Sequence, residues 1–299
     1  MPQQHPIAPE VVETLLLDHT TGRNIFWATH DYEELGSEYS YHSPILPHHV
    51  TGDRGRVIRP RVLKSKEEQT GRAKEMAEVF TPSWLCNAQN NLVEEAWHAA
   101  SPPLQGEAGR GLWQDNVRAT VLEISCGEAP YLVSRYDATT GEPVPIEKRI
   151  GLLDRKLRLV SENTETSGDW LDWAQMAYKN TYGYEWQGDN LLIARENLLL
   201  TFMEYYEAKF HKQPLPKSIN YIAYIISWNL WQMDGLKGVV PHSCRDGVTE
   251  KIMTLFGEEE QTVNCPGCQQ DDIRRHNGTY CLIKDWGANK KIRFIDLIK

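Results

Sequence analysis

The spacing of hydrophobic residues changes period several times along the chain, and each change marks a predicted element. From Ser65 to about Ala99 the spacing is helical, with a break at Thr81-Pro82. Proline suits the first turn of a helix, so a second helix is expected to begin there. Its apolar stripe consists of Leu85, Leu92, Val93 and Trp97. The residues before about position 60 show little sustained period and are expected to be irregular.

The central part of the chain alternates between strand-like and helix-like runs. After a loop rich in Pro and Gly at 101–111, we expect a strand at Thr120–Ser125, and residues 131–135 could begin a helix after its turn. The further predicted elements are helices at Ile150–Val160, Trp170–Asn180 and Leu191–Phe210, a strand ending near Glu185, and an apolar run over Ile222–Trp231 that leads to Asp234. Such alternation is typical of βαβ units and predicts a mainly parallel sheet.

Composition and charge narrow the class of protein. The chain has 299 residues and a formal net charge of −9, which argues against non-specific coating of nucleic acid. It contains no apolar run of about 18 residues, so we expect no membrane span. The N-terminus lacks a basic stretch followed by an apolar one, so we expect no secretion signal and a cytoplasmic protein. One basic cluster stands out, and it is either a solvated loop or a phosphate-contacting segment. Its members are Arg54, Arg56, Arg59, Arg61, Lys64, Lys66 and Arg72.

The six cysteines are unevenly distributed. Cys86 and Cys126 are isolated, and the other cysteines crowd the C-terminal region as Cys244, Cys265, Cys268 and Cys281. Cys265-Pro-Gly-Cys268 has the spacing of a zinc knuckle, and two further cysteines would complete a tetrahedral structural zinc site. His242 or His276 could replace Cys281 as the fourth ligand. The alternative is a set of reduced thiols, and a redox role is less favoured because no thioredoxin-like pattern surrounds the motif.

Three segments each combine a short apolar run with a turn that carries Gly or a carboxylate. They are 121–131 (VLEISCGEAPY), 182–188 (YGYEWQG) and 229–236 (NLWQMDGL). Parallel sheets present ligand-binding groups at the carboxyl ends of their strands, so these turns are expected to meet at one edge.

Together with 77–84 (AEVFTPSW), these segments resemble the N6-adenine DNA methyltransferases of restriction–modification systems. The resemblance runs from about Arg54 to the C-terminus and rests on four loose matches in the family's order. The second match follows the pattern Asp-Pro-Ala-Cys-Gly-Ser-Gly-x-Phe, with Glu123 in place of Asp and Ala129 in place of Gly. Alanine still permits close approach of the backbone, but it makes a left-handed conformation unlikely there. The third match extends through Ala194-Arg-Glu-Asn-Leu198.

The resemblance implies a binding site for S-adenosylmethionine. The Phe-Thr-Pro turn would close over the methionine end, the glycine turn would approach the ligand, and Glu185 would accept hydrogen bonds from the ribose hydroxyls. Asp234 would accept from the adenine amine, with Met233 or Leu236 packing on the ring. Each segment alone also fits an ordinary helix start, strand end or turn. The implied cofactor-binding residues are Phe80, Thr81, Pro82, Glu123, Cys126, Gly127, Ala129, Glu185 and Asp234.

The family's catalytic tetrapeptide, Asn/Asp-Pro-Pro-Tyr/Phe, is missing from the sequence. Ser101-Pro-Pro-Leu104 lacks the aromatic residue and precedes the glycine turn, and Asn264-Cys-Pro-Gly267 belongs to the knuckle. Residues 278–298 resemble what precedes the catalytic strand in longer relatives. We therefore expect the cofactor-binding part of a truncated or split adenine-N6 methyltransferase, with no catalytic residue assigned. The alternative is a non-catalytic regulatory protein that binds DNA or a partner.

These expectations combine into one predicted architecture of the α/β class. Residues 1–111 would form an N-terminal helical arm with the cofactor-closing segment, and residues 112–240 a Rossmann-like methyltransferase core. Residues 241–299 would form a small zinc-binding lobe and a final strand. The expected partners are DNA and a second methyltransferase or specificity subunit.

Overall fold

A computed structural model describes residues 7–51, 57–75, 81–100, 112–254 and 257–298. The helices are α1 Pro9–Leu16, α2 Pro47–Val50, α3 Lys66–Glu75, α4 Ser83–Ala100, α5 Leu112–Arg118, α6 Leu152–Asn163, α7 Ser167–Lys179, α8 Gly188–Phe210, α9 Pro216–Asn229 and α10 Pro266–Gln270. The strands are β1 Leu17–Asp18, β2 Arg23–Asn24, β3 Val121–Glu123, β4 Thr181–Glu185, β5 Leu230–Gln232, β6 Val248–Thr254, β7 Gly257–Val263, β8 Leu282–Asp285 and β9 Lys290–Arg293.

The fold is mixed α/β and is built on a three-stranded parallel sheet in the order β3-β4-β5. The register pairs Glu123 with Gly183 and Glu185 with Gln232, so the three strands end at one edge. Helices α6 and α7 connect β3 to β4, and helices α8 and α9 connect β4 to β5. The predicted parallel sheet is confirmed, whereas three strands do not by themselves establish a Rossmann-like core. The other strand pairs described are antiparallel ribbons.

Most of the periodic segments form the predicted elements. Helix α6 buries Leu153, Leu157 and Val160, which recur at helical spacing. Helix α7 begins at an N-cap, because the Thr166 side chain accepts a hydrogen bond from the Asp169 N–H at 3.1 Å. The long helix α8 ends at His211 in a left-handed conformation.

Four local expectations need correction. Residues 131–135 form turns and not a helix. The apolar run at 222–231 is mostly the end of α9, and only Leu230–Gln232 is extended. The stripe on α4 is largely exposed, since Leu92 and Val93 are 64% and 50% exposed while Cys86 and Asn90 are buried. The segment expected to be irregular contains the amphipathic helix α1.

The N-terminal segment contributes to the main core. Val12 and Leu16 of α1 share a hydrophobic cluster with Trp27, Leu199 and Phe202. A second cluster joins the last part of the chain to the sheet through Tyr184, Trp231, Met233, Val240, Cys281 and Ile283. The boundaries at 111 and 240 therefore do not separate independent cores.

Arg195 of α8 is fully buried and ties four carbonyl groups together. Its guanidinium donates to the carbonyl oxygens of Leu230 at 2.6 Å and Ser227 at 3.2 Å, and to Leu15 and Leu17 at the end of α1. Carbonyl groups at helix ends lack intrahelical partners, and a cation there also favours the helix dipole. Arg195 thereby fixes α1, α9 and the start of β5 to α8. Burial lowers the pKa of Arg195 to about 10.

The basic cluster is partly internal. Arg54 and Arg56 lie outside the described residues. Arg59 pairs with Glu68 at 3.4 Å on the surface, whereas Lys64 and Arg72 are buried and contact the Asp189 carboxylate at 3.1 and 3.0 Å. Two of the expected phosphate contacts are therefore engaged inside the protein. Every helix in the described ranges is too short or too polar to cross a bilayer.

Replacing Arg195 tests whether its hydrogen bonds hold these elements together. We expect Arg195→Met to lower the free energy of unfolding by more than about 3 kcal/mol, because buried carbonyl oxygens lose their donors. Urea unfolding followed by circular dichroism measures the change. The exposed Arg23→Met variant is the matched control and should stay within about 0.5 kcal/mol of the unmodified protein. Equal stability of Arg195→Met and the control would contradict this role.

Candidate functional site

The glycine turn after β3 lies against the end of β4. The Cys126 N–H donates to the Tyr184 carbonyl at 2.8 Å, and the Gly127 N–H donates to Oε2 of Glu185 at 2.8 Å. Ser125, Gly127 and Ala129 all have positive φ, with Ala129 at 63°. The expectation that alanine makes a left-handed conformation unlikely there is therefore wrong. The buried methyl group of Ala129 packs in the main core, which compensates for the backbone cost.

Glu123 organises the return of this turn. Its two carboxyl oxygens accept from the backbone N–H groups of Tyr131 at 3.3 Å and Leu132 at 3.2 Å. Burial raises the pKa of Glu123 to about 8, although these two hydrogen bonds act in the opposite direction. The side chain is therefore a structural acceptor inside the turn.

Glu185 stands at the end of β4 between the glycine turn and the start of α8. Besides the Gly127 N–H, its carboxylate accepts from the Gln187 N–H at 3.2 Å. Burial raises the pKa of Glu185, and the N–H groups of Gly127, Gln187 and Trp186 act to lower it. The side chain is 8% exposed, so a ligand reaching this edge would meet a largely desolvated acceptor.

Asp234 lies at the same edge, two residues beyond the end of β5. Its Oδ1 accepts from the N–H groups of Leu236 at 3.0 Å and Lys237 at 3.2 Å, which closes the turn. Gln232 pairs with Glu185 in the sheet. Side chains alternate between the two faces of a sheet. The position of Asp234 therefore corresponds to the same face as those of Gln232 and Glu185. The structure thus brings Gly127, Glu185 and Asp234 to one edge.

The Phe-Thr-Pro segment is only partly described. Phe80 lies outside the described residues, and Thr81 and Pro82 lead directly into α4. The Thr81 side chain hydrogen-bonds with the Tyr131 hydroxyl, and Asn90 of α4 donates to the Tyr131 carbonyl at 3.0 Å. This segment therefore contacts the glycine turn.

A group of aromatic and imidazole rings near this edge was not predicted from the sequence. Trp186 follows Glu185 and donates through Nε1 to the Tyr41 hydroxyl at 2.8 Å. The His242 ring lies edge-on to Trp186 and Tyr41, with centroids 5.4 and 4.9 Å away. Burial, followed by nearby His42, lowers the pKa of His242, and Asp234 acts to raise it. Only the position of Trp186 beside the strand-end carboxylate could have indicated this group.

A second site is formed by Cys244, Cys265, Cys268 and His276, whose ligand atoms all lie within 4.8 Å of one another. The Cys244 sulfur is 3.3 Å from that of Cys265 and 3.6 Å from that of Cys268. The three sulfurs lie 3.4–3.6 Å from His276 Nδ1. Tetrahedral ligands at metal–sulfur and metal–nitrogen distances of about 2.3 and 2.1 Å would be about 3.6–3.8 Å apart. The group could therefore hold one tetrahedral metal ion.

The backbone around the knuckle fits this arrangement closely. Cys265 is the N-cap of α10, and its N–H donates to Asp246 at 2.7 Å. A Cβ atom at Gly267 would lie 2.6 Å from the backbone nitrogen of His276, so only glycine fits there. Burial acts to raise the pKa of Cys265, but the N–H groups of Cys268 and Asn277 and the His276 ring outweigh it and lower the pKa to about 6. A lowered pKa favours the thiolate that metals require.

The fourth ligand position is a correction to the expected set of four cysteines. Cys281 belongs to the second hydrophobic cluster, where its thiol donates to the Gln232 carbonyl at 3.4 Å. Burial raises its pKa, which disfavours a thiolate. His242 lies in the aromatic group. Of the three residues considered for the fourth position, His276 is the one that the fold brings to the knuckle.

Another set of possible ligand atoms does not fit a metal. Glu38 lies 3.2 Å from His48 Nε2 and 3.5 Å from His49 Nε2. The Leu46 N–H donates to His49 Nδ1 at 3.1 Å, which places the ring proton of neutral His49 on Nε2. That nitrogen therefore points a proton at Glu38 and has no lone pair for an ion.

Comparison with known proteins adds no assignment: no protein-family model, no curated protein and no solved structure was found to match this chain.

The raised pKa of Glu123 predicts a specific pH dependence of stability. Its folded pKa of about 8 exceeds the ordinary value of 4.5, so its contribution is full below pH 4.5 and is lost as pH rises through 8. Such a shift corresponds to on the order of 3–5 kcal/mol. Glu123→Gln should remove this loss, so its advantage in urea unfolding should grow between pH 5 and 9. The exposed Glu142→Gln control should follow the unmodified protein. Parallel curves for Glu123→Gln and the unmodified protein would contradict the prediction.

The four-ligand group predicts one tightly bound divalent metal ion per chain. Elemental analysis of protein purified without chelator should find it, and Cys268→Ser should lose it because a ligand is removed. Cys281→Ser is the matched control, since it changes a cysteine outside the group and should keep the metal. Metal retained in Cys268→Ser, or lost in Cys281→Ser, would exclude this assignment of ligands.

Proposed function

We propose that this chain binds S-adenosylmethionine at the carboxyl edge of the parallel sheet. The observation that carries the proposal is the direct contact between the glycine turn and the carboxylate that follows the next strand. Gly127 and Glu185 are separated by 58 positions in the sequence and meet at 2.8 Å. In sheets of this kind, the turn after the first strand approaches the ligand closely, and the carboxylate at the end of the second strand accepts hydrogen bonds from the ribose hydroxyls.

The order of the strands supports the same assignment. Three consecutive parallel strands are neighbours in the order β3-β4-β5, as in one half of a Rossmann-like sheet. Trp186 and His242 lie beside Asp234 at this edge, where flat rings could stack on the cofactor adenine. A Rossmann-like methyltransferase core is therefore our preferred description of residues 112–240.

The reaction class follows from the resemblance described above. We propose that the chain provides the cofactor-binding part of an adenine-N6 DNA methyltransferase from a restriction–modification system. In that chemistry the target base leaves the duplex, and its amine attacks the cofactor methyl group in line. These 299 residues hold no Asn/Asp-Pro-Pro-Tyr/Phe for the base, so we assign no base-binding group within them.

For the metal site we propose a structural zinc ion. Three cysteines with one histidine form a closed ligand set of the kind that structural zinc sites use. The ribbon β6–β7 lies between Cys244 and Cys265 in the sequence, and its described side chains are mostly exposed. Because this lobe has few buried apolar residues, the ion rather than a core would hold it, contributing on the order of 10 kcal/mol.

The second candidate function is a non-catalytic regulatory protein that binds a partner. The absent tetrapeptide favours it, and so does the ribbon β6–β7, whose exposed carboxylates include Glu258 and Glu260. Such a protein would keep the carboxyl edge without transferring a methyl group.

Isothermal titration with S-adenosylmethionine tests the proposed function. We expect one binding site per chain, with affinity lowered at least about tenfold in Glu185→Ala, because two hydrogen bonds to a charged group are lost. The exposed Glu165→Gln variant is the charge-matched control and should bind normally. Thermal unfolding of each variant separates loss of the ligand contact from loss of the fold.

Two results would decide between the candidates. No heat of binding to the folded protein would exclude the cofactor site. Binding without transfer of labelled methyl groups to adenine-containing DNA, with transfer restored by a polypeptide carrying the tetrapeptide, would support the split enzyme over the regulatory protein.

A further inference from the structure

Helix α9 carries a stripe of aromatic side chains that is separate from the stripe it buries. The buried stripe belongs to the main core and consists of Ile222, Ala223, Ile225 and Ile226. Tyr221, Tyr224 and Trp228 recur at steps of three and four positions and therefore share another face of the helix. Trp286, which follows β8, lies edge-on to Tyr224 with ring centroids 6.1 Å apart. These four rings form a continuous surface beside α9.

Three lysines lie over the rings of this surface. The distances from Nζ to the ring centroid are 5.4 Å for Lys179 over Tyr221, 4.7 Å for Lys284 over Trp286 and 5.2 Å for Lys291 over Trp228. Lys284 also donates to the Tyr224 hydroxyl at 3.0 Å. Such contacts hold an ammonium group in place, but a ring or a hydroxyl has no net charge and does not neutralise it. We call the four rings and three lysines together the α9 face.

The positive charge of the α9 face is not balanced by ion pairs. Within the described ranges, no carboxylate forms an ion pair with any of its three lysines. Asp285 is adjacent to Lys284 on β8, but successive side chains of a strand point to opposite faces. Asp285 therefore shares its face with Ile283 of the second hydrophobic cluster, and its Oδ1 accepts from the Ala288 N–H at 2.9 Å. The lysine charges remain available to a ligand.

The register of the β8–β9 ribbon places two of these charges against each other. Lys284 stands directly opposite Lys291 in the antiparallel pair. Like charges in this position destabilise a strand pair. Both ammonium groups also lie over the same indole, with Nζ of Lys284 at 5.9 Å and Nζ of Lys291 at 5.2 Å from the Trp228 centroid. An anion bound at this pair would relieve the repulsion.

The rings of the α9 face differ in what they offer a ligand. Trp228 is closed, because it is buried and His19 stacks on it with centroids 3.8 Å apart. Tyr221 is 37% exposed and Trp286 is half-buried, so these two rings are accessible. Lys217 is exposed one turn before Tyr221 and extends the positive charge along the helix. An accessible ring next to unneutralised cations suits a ligand that combines a planar group with negative charge.

We propose that the α9 face binds single-stranded nucleic acid, with phosphates at Lys284 and Lys291 and a base stacked on Tyr221. The lysines select phosphodiester groups, and an accessible ring selects a base whose flat face is not covered by its neighbours in a duplex. An acidic peptide would satisfy the lysines but would not use the ring. The α9 face contains none of the residues at the carboxyl edge, so this inference does not rest on the proposed function.

Fluorescence anisotropy with a labelled oligo-dT of about 12 nucleotides tests the proposal on the full chain, without S-adenosylmethionine. We expect binding that is at least about tenfold tighter than that of a duplex of the same length. Polyglutamate at equal charge concentration should not displace the oligonucleotide, because it lacks bases. No binding, equal affinity for the duplex, or displacement by polyglutamate would overturn the proposal. Tighter binding of oligo-dT than of oligo-U would assign the face to DNA, and the reverse order to RNA.

The salt dependence of binding tests the lysines. For a single strand, the logarithm of the association constant should fall against the logarithm of salt concentration with a slope of about −0.7 for each phosphate neutralised. Lys291→Gln should therefore reduce the magnitude of the slope by about 0.7. Lys291 is exposed, so the fold should be retained. The exposed Lys148→Gln variant removes the same charge before α6 and should leave the slope unchanged. Equal slopes for Lys291→Gln and the Lys148 control would overturn the proposal.

Variants of the accessible ring test the stacked base. Tyr221→Ala should weaken oligo-dT binding about 5- to 100-fold and leave the salt slope unchanged, because it removes a stacking contact and no charge. Tyr221→Phe keeps the ring and should bind like the unmodified protein. Glu185→Ala should also bind oligo-dT normally, which separates this surface from the cofactor site. Unchanged binding in Tyr221→Ala, equal weakening by Tyr221→Phe, or loss of binding in folded Glu185→Ala would exclude the α9 face as the site.

Discussion

The buried carboxylate of Asp189 is the constraint on which the geometry of the carboxyl edge depends. It has no exposed surface and lies in the first turn of α8, four residues after Glu185. A lone charge in such a place would cost several kcal/mol, so it must be paired inside the protein. Lys64, Arg72 and the Tyr32 hydroxyl provide the partners. Segments from the first quarter of the chain are thereby held against the sheet, and the pKa of Asp189 is kept below its ordinary range by Arg72 and Lys64, despite burial.

This pairing also limits what the basic segment can do at the surface. Lys64 and Arg72 neutralise an internal charge, and Arg59 is engaged by Glu68. Counting basic residues in the sequence therefore overstates the positive charge that could face DNA. Any contact of this chain with phosphates has to come from other side chains, which agrees with its net charge of −9.

The sequence predicted those elements that depend on a local pattern of residues. It did not predict the positions that are set by contacts between residues far apart in the chain. The strands ending at Glu123, Glu185 and near Asp234 could be predicted because short apolar runs followed by turn residues carry their own signal. The placement of His276 beside the knuckle could not be predicted, because a cysteine and a histidine at similar spacing are equally good zinc ligands. The choice is made by the fold, which buries Cys281 in the second hydrophobic cluster. Helix α1 was missed although its buried residues Val11, Val12, Leu15 and Leu16 have helical spacing after an N-terminal proline. The left-handed Ala129 depends on tertiary packing alone.

The polarity of the fold explains why the two ends of the parallel sheet differ in chemistry. Helices α5 and α7 each end just before a strand begins, so their carbonyl ends gather at the amino end of the sheet. Cations are favoured there, and Lys156 meets two of these carbonyl groups. At the other edge the strands end in Glu123 and Glu185 and lead to Asp234, which supply acceptors. An edge of acceptors suits a ligand with hydroxyl and amine donors, whereas the helix carbonyl groups at the opposite end are already bound by Lys156. The same alternation of strands and helices therefore places carboxylates at one end of the sheet and helix carbonyl groups at the other.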